Sequence, residues 1–163
     1  SDIIMALGCG IQNRYNSKKL NYGKVAIAVD ADVDGYNIMC LVATMFYVLM
    51  PEFILENRLC WLRAPLYRLT KGEKRIFAYT EEEAAELRKK YPAWEQGYNK
   101  GLGEMSALDM ENSMMHPTER RLEVLSIKDA EAAADSLQML MGEDVEGRKE
   151  FLFENVDFSI LNK

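Results

Sequence analysis

A chain of 163 residues, 48% hydrophobic and 28% charged, has the size and composition of one ordinary globular domain, or of one domain with an appendage. Its longest apolar stretches, Lys24 to Val29 and Ile38 to Met50, fall short of the ~18 residues of a membrane span or are interrupted, and Ser1-Asp2-Ile3-Ile4 has no signal-peptide pattern, so membrane insertion and secretion are poor readings. The net charge of −6, from 20 basic and 26 acidic residues, argues by itself against a nucleic-acid partner, which normally meets a basic face. Cys9, Cys40 and Cys60 are widely spaced and His116 is the one histidine, so no zinc site can be assembled; the cysteines read as reduced thiols of a cytoplasmic protein.

In chain order, Ile3, Ile4, Ala6 and Leu7 followed by Gly8 and Gly10 predict a short helix closed by a glycine turn. Lys24 to Val29 is a continuous run of small and β-branched residues, the pattern of a strand buried on both faces of a parallel sheet. From Tyr36 the period becomes helical: Ile38, Leu41, Val42, Met45, Phe46 and Leu49 make one stripe, ended by Pro51. A second strand is expected over Arg58 to Ala64. A hairpin follows, with Leu66 to Thr70 and Arg75 to Tyr79 flanking Lys71-Gly72-Glu73-Lys74. Thr80 and Glu83 form a capping box opening a helix to about Lys90.

Trp94 to Tyr98 is the next strand candidate, before a glycine turn at Lys100-Gly101-Leu102-Gly103. A helix capped by Ser106, with Glu104 as a further capping candidate, runs to His116-Pro117; Met110 and Met114, like Met139 and Met141 later, read as packing residues on helical faces. Leu122 to Ile127 alternates like a strand. Helices over about Asp129 to Met141 and Asp144 to Asn155, parted by Gly142, close the chain. The fold class is therefore α/β: a Rossmann-like parallel sheet over residues 1–127 and a helical tail over residues 128–163.

The stretch Asp30-Ala31-Asp32-Val33-Asp34-Gly35 carries the chemistry. It follows a buried strand, where ligands of open α/β sheets sit. Alternate residues on extended backbone point the same way, so Asp30, Asp32 and Asp34 are expected to converge, and a hard divalent cation such as Mg²⁺ would offset their repulsion. An EF-hand needs an acid at its twelfth position, where Leu41 stands, and a helix before the loop, where this chain has a strand. The plain alternative is an acidic turn that caps the following helix.

The Asp-x-Asp motif here resembles that of Toprim domains in type IIA DNA topoisomerases. Ala6 to Ile11, Ala64-Pro65-Leu66-Tyr67-Arg68, Lys100 to Met105 and Leu140 to Glu146 resemble, in order, segments of the ATPase-bearing subunit of bacterial gyrase and topoisomerase IV. The resemblance runs from about Ala6 to Asn155 and departs at two places: Asn37 stands where the family has histidine, and Tyr98-Asn99 where it has Arg-Tyr. It implies a partial Toprim domain whose first strand, with a metal-binding glutamate, would precede residue 1. By resemblance, Asp30 and Asp32 are the catalytic metal ligands, and Asp34 is an outer ligand or a helix-capping acid.

The resemblance further implies Mg²⁺ as cofactor, ATP bound elsewhere in the full enzyme, and double-stranded DNA cleaved by a tyrosine of a gyrase A-like partner. An N-terminal half would supply the missing glutamate, either as a separate polypeptide, as in split phage subunits, or as the remainder of an intact subunit. The isolated chain is expected to be inactive, and the enzyme cytoplasmic and nucleoid-associated. Lys100, Arg63 and Arg68 are the candidate DNA-facing cations, against ordinary turn and strand-face charges. Alternative functions are another Toprim enzyme of primase or nuclease type, or a non-catalytic assembly fragment.

Overall fold

The computed structural model describes residues 2–99, 101–143 and 145–155. Lys100, Asp144 and the last eight residues, for which a DNA contact, a helix start and a tail are expected, lie outside the described residues. Helix α1 (Asp2–Leu7) ends as expected at Gly8, whose φ of +70° suits a residue without Cβ. Strand β1 (Val25–Ala28) leads through the acidic turn into α2 (Val33–Leu49).

Pro51 does more than stop α2. Met50 turns the chain, and Pro51 then opens a second short helix, α3 (Pro51–Leu55). A proline fits a first helical turn, where its missing N–H has no partner to lose. This puts Phe53 and Ile54 in the core, with the Phe53 ring 5.1 Å from that of Phe46.

Strand β2 (Leu59–Leu62) runs parallel to β1, pairing Val25 with Leu59 and Ala28 with Leu62. On its other side it pairs antiparallel with β6 (Leu122–Val124), so the sheet order is β1-β2-β6. The expectation that β1 is buried on both faces does not hold within the described chain. Ile27 is buried, but Ala26 and Ala28 are exposed and β1 is an edge strand. A continuous apolar run reports what a strand tolerates on its faces, and does not require that the same chain cover both. The central position belongs to β2, where Leu59, Cys60 and Leu62 are all buried.

A second sheet, order β4-β3-β5, is antiparallel: β3 (Tyr67–Lys71), β4 (Lys74–Ala78) and β5 (Glu95–Tyr98). Helix α4 (Glu81–Lys90) lies between β4 and β5 in the chain. The Thr80 hydroxyl accepts from the Glu83 N–H at 3.2 Å, and the Glu83 carboxylate reaches back to the Tyr79 N–H at 2.8 Å. The helix capped by Ser106 is shorter than its pattern predicts. After α5 (Ala107–Met110) the backbone widens into a π-helical turn over Glu111–Met115, closed by His116 N–H on Glu111 C=O at 2.8 Å. Glu104 is exposed, and Ser106 supplies the cap.

Two helices follow, α6 (Ile127–Met141), opened by a Ser126–Asp129 capping box, and α7 (Val145–Asn155). Helix α6 packs along α2, and its Ala130 is fully buried in the core. The cluster of Phe46, Met50, Phe53, Ile54, Leu59 and Leu125 thus gathers α2, α3 and the first sheet around one core. The chain has the expected α/β fold with a helical tail. Among the described residues no helix is long and apolar enough to cross a membrane.

Candidate functional site

Strand β1 ends at Ala28, and Asp32, itself in an extended conformation, is the N-cap of α2. The Asp32 Oδ1 accepts the Gly35 N–H at 2.8 Å, satisfying one of the free donors of the first turn. Asp30 is half-buried and faces a second loop: its Oδ1 accepts the Leu102 N–H at 2.7 Å. Glycines bracket it from both sides. A Cβ on Gly35 would stand 2.1 Å from the Asp30 carbonyl oxygen, and one on Gly101 would stand 3.1 Å from Asp30 Oδ2. These residues had only turn and motif value in the sequence; in the fold their missing side chains let helix and loop close on the same aspartate.

Asp30, Asp32 and Asp34 line one open cavity of about 400 Å³ with Ala28, Val29, Gly35, Ile38 and Leu102. They do not converge as expected: among the described residues no three acidic, histidine or cysteine side chains come close enough to share an ion. The reason is where the helix begins. Val33 is already helical, so alternation on extended backbone ends by Asp32, and Asp34 sits in the first turn of α2, exposed. The capping role weighed for Asp34 belongs to Asp32. Asn37, in the family's histidine position, is exposed on the next turn of α2.

What the turn presents to the cavity is therefore chiefly two carboxylates held by backbone, Asp30 and Asp32. Asp30 and Asp32 each commit one oxygen to a backbone N–H, and the Oδ2 atoms have no protein partner among the described residues. A Mg²⁺ ion fits such a donor set, because it prefers oxygen, uses one or two carboxylates, and fills its octahedron with waters and phosphate oxygens. The first turn of α2 lines the same cavity through Asp34 and Gly35, and a helix N-terminus favours an anion.

The candidate cations have different fates. Arg63 lies 4.2 Å over the Trp61 ring and pairs with Glu123 at 3.3 Å, both partly exposed, so its guanidinium stays at the surface. Arg68, whose side chain stays 34% exposed, pairs with Asp109, as does Arg75 through Nε at 2.8 Å. Asp109 is fully buried, and a buried carboxylate without such partners would be strongly destabilising. Burial pushes its carboxyl up, but the Ser106 hydroxyl and the Arg68 and Arg75 guanidiniums outweigh that and hold it below the usual carboxylate range.

Asp109 and Arg75 drew no attention in the sequence. The hairpin register did hold part of the signal, since pairing Arg68 with Phe77 and Thr70 with Arg75 puts both arginines on one face. A larger cavity of about 500 Å³, lined by Arg75, Phe77, Tyr79, Asn112, His116 and Arg121, lies elsewhere, with Arg75 held by Asp109 and Arg121 by Glu83 at 2.6 Å.

The family model of the DNA gyrase B subunit carboxyl terminus matches residues 96–153. The chain is 38% identical to the DNA gyrase B subunit of Thermotoga maritima over 155 residues, 93% of this chain and 24% of the relative. It is 37% identical to the DNA topoisomerase 4 B subunit of Rickettsia bellii, over 94% of this chain and 24% of the relative. With the DNA gyrase B subunit of Staphylococcus aureus the identity is 35%, over 98% of this chain and 25% of the relative. These matches run through both the acidic turn and the Gly101 loop, so the two halves of the site and nearly all of the fold share one ancestry. The chain belongs to the family of DNA gyrase B and topoisomerase 4 B subunits, and spans about a quarter of the length of the curated relatives it matches.

Proposed function

We propose that the chain is the Toprim-type, metal-binding part of a type II DNA topoisomerase, and that Asp30 and Asp32 hold the Mg²⁺ used in cleaving and rejoining double-stranded DNA. The observation that carries this reading is the pair of carboxylates after β1, each fixed by one backbone N–H and both lining the same cavity. When bound there, Mg²⁺ would neutralise charge on the phosphate and on the leaving 3′ oxygen. Asp32 holds its orientation as the N-cap of α2, and Asp30 holds its own against the Leu102 N–H. The exposed first turn of α2 receives the phosphate, with Lys100 and the surface guanidinium of Arg63 as further DNA contacts. Arg68, spent on Asp109, is left out of that set.

The attacking tyrosine belongs to a gyrase A-like partner, and ATP is used in another part of the enzyme. The remaining metal-binding glutamate comes from an N-terminal half, which adds its strand beside β1; the exposed edge and the exposed Ala26 and Ala28 support that placement. The assembled enzyme works on chromosomal or phage DNA in the cytoplasm.

The test is reconstitution with an N-terminal half and the tyrosine-bearing partner, followed by ATP- and Mg²⁺-dependent relaxation of supercoiled plasmid. Relaxation should require this chain and vanish with Asp30→Ala. Relaxation indifferent to Asp30→Ala would sink the metal assignment, and no relaxation in any combination would favour a non-catalytic assembly role.

A further inference from the structure

We infer that Asp109, clamped by Arg68 and Arg75, is a positioning residue that sets the Gly101–Leu102 loop onto Asp30. This rests on the metal-site reading above. The loop from Asn99 to Ser106 is the only segment of the second sheet's half of the molecule seen to hydrogen-bond Asp30 among the described residues. Its stem is tied by two bonds from one residue: Asn99 N–H donates to Leu66 C=O at 2.8 Å, and Asn99 Nδ2 to Pro65 C=O at 3.1 Å. Its crown is a single tight turn, with Glu104 N–H on Gly101 C=O at 3.1 Å.

The far end is tied through Asp109. Ser106 Oγ accepts the Asp109 N–H at 3.1 Å and donates to Asp109 Oδ2 at 2.6 Å, so the residue that starts α5 is held by the buried aspartate on both counts. Asp109 is in turn held by two arginines of neighbouring strands, Arg75 on Oδ1 at 2.8 Å and Arg68 on Oδ2, the oxygen that Ser106 also meets. Gly97 leaves the room this needs, since a Cβ there would meet Arg68 Nη2 at 3.3 Å. The link is short. Only Gly103, Glu104 and Met105 separate Leu102 from Ser106, and part of that length is wound into the turn. A shift of Asp109 is therefore passed to Leu102 with little slack, and from Leu102 to the carboxylate oxygen it holds.

The arrangement assigns the two arginines a task that differs from contacting DNA: they fix the hairpin to the loop, and the loop fixes Asp30 through its Oδ1. Asn99 serves the same end from the stem.

The experiment is amide hydrogen exchange on the reconstituted enzyme, unsubstituted and with Asp109→Asn, together with the Mg²⁺ dependence of relaxation. Asp109→Asn keeps the side chain's size and removes its charge. Exchange at Leu102 should accelerate about tenfold or more, the loss expected for hydrogen bonds to a charged group, while core amides of α2 and β2 keep their protection. Half-maximal relaxation should need about tenfold more Mg²⁺, with the rate restored at high Mg²⁺, because the metal can pull Asp30 back into place.

Unchanged exchange at Leu102, or an equal acceleration throughout α2 and β2, would overturn the positioning role. If Asp109→Asn fails to fold, Arg68→Gln carries the same test, since Asp109 then keeps Arg75 and Ser106; selective loosening at Leu102 in smaller measure supports the role, and none overturns it. The two readings fail separately. A stationary Leu102 alongside an essential Asp30 removes only the positioning role, whereas a loosened Leu102 alongside a dispensable Asp30 removes the metal site and leaves the loop clamp standing.

Discussion

Replacing Gly35 by alanine sets two physical rules against each other. Gly35 lies in the first turn of α2, where helix propensity alone makes alanine better by up to ~1 kcal/mol. The packing says otherwise. The new Cβ would stand 2.1 Å from the Asp30 carbonyl oxygen, 2.9 Å from its carbon and 3.1 Å from its nitrogen. The first of these is more than ~1 Å inside the separation at which non-bonded atoms attract, and all three are backbone atoms with no rotamer to yield. Relief requires moving the start of α2 away from the strand end, which also stretches the 2.8 Å cap between Asp32 and the Gly35 N–H.

Overpacking of this kind costs ~1–3 kcal/mol and a lost cap ~1 kcal/mol, so the net expectation after the propensity gain is a loss of about 2 kcal/mol. Urea unfolding followed by circular dichroism measures it. Gly103→Ala is the internal control: its Cβ meets nothing within 4 Å, so stability should stay within ~0.5 kcal/mol. A Gly35→Ala protein as stable as the parent, or more so, would refute the claim that the turn is closed on Asp30.

Three further outcomes are expected. Phe46→Ala, at a fully buried ring packed on Phe53, should cost ~3–5 kcal/mol in the same unfolding assay, against little for Val48→Ala on the exposed side of α2. Because the Asp109 carboxyl lies below its ordinary value in the folded protein, its stabilisation is complete above the unfolded value of ~4 and fades as pH falls through the lower folded value; the stability gap between parent and Asp109→Asn, measured across acid pH, should close there. Tyr15 behaves oppositely: burial first, then Glu56, push its hydroxyl up to about 12, so its contribution is present below the unfolded value of ~10 and is lost on going through 12. Ultraviolet titration should show Tyr15 among the late-ionising tyrosines, and Tyr15→Phe should remove that component and flatten the alkaline loss of stability.

The parts of the site carried by local sequence were legible, and the parts made by distant pairs were not. The apolar run to Val29, the acidic turn and the stripe from Ile38 to Leu49 specify strand, turn and helix through their own periods, and the fold follows them. The convergence of Asp30, Asp32 and Asp34 failed on a boundary: an alternation argument is valid only while the chain is extended, and the helix starts at Val33, before its apolar stripe announces it. Helix α3 was hidden because Pro51 is equally good as a terminator and as a first-turn residue. The Arg68–Asp109 pair spans 41 positions, and neither partner carries a sign of it, since an arginine on a strand and an aspartate after a cap are each ordinary alone.

The same distinction bears on the charge. A net −6 counts against a DNA partner only if every charge faces the solvent, and here the balance is local. Asp109 is neutralised inside the fold by two partly exposed arginines, which removes an anion from the surface and leaves part of each cation there. Asp30 and Asp32 are different: each has a single backbone N–H and no cationic side chain among the described residues. Among the described residues that leaves two carboxylates answered by backbone N–H groups alone, at the N-terminus of a long helix and the end of an edge strand. A divalent ion would reverse the sign of the charge where a phosphate has to approach, so on the proposed reading the acidic balance is a condition for metal-mediated contact with DNA and the metal, more than lysine and arginine, supplies the local attraction.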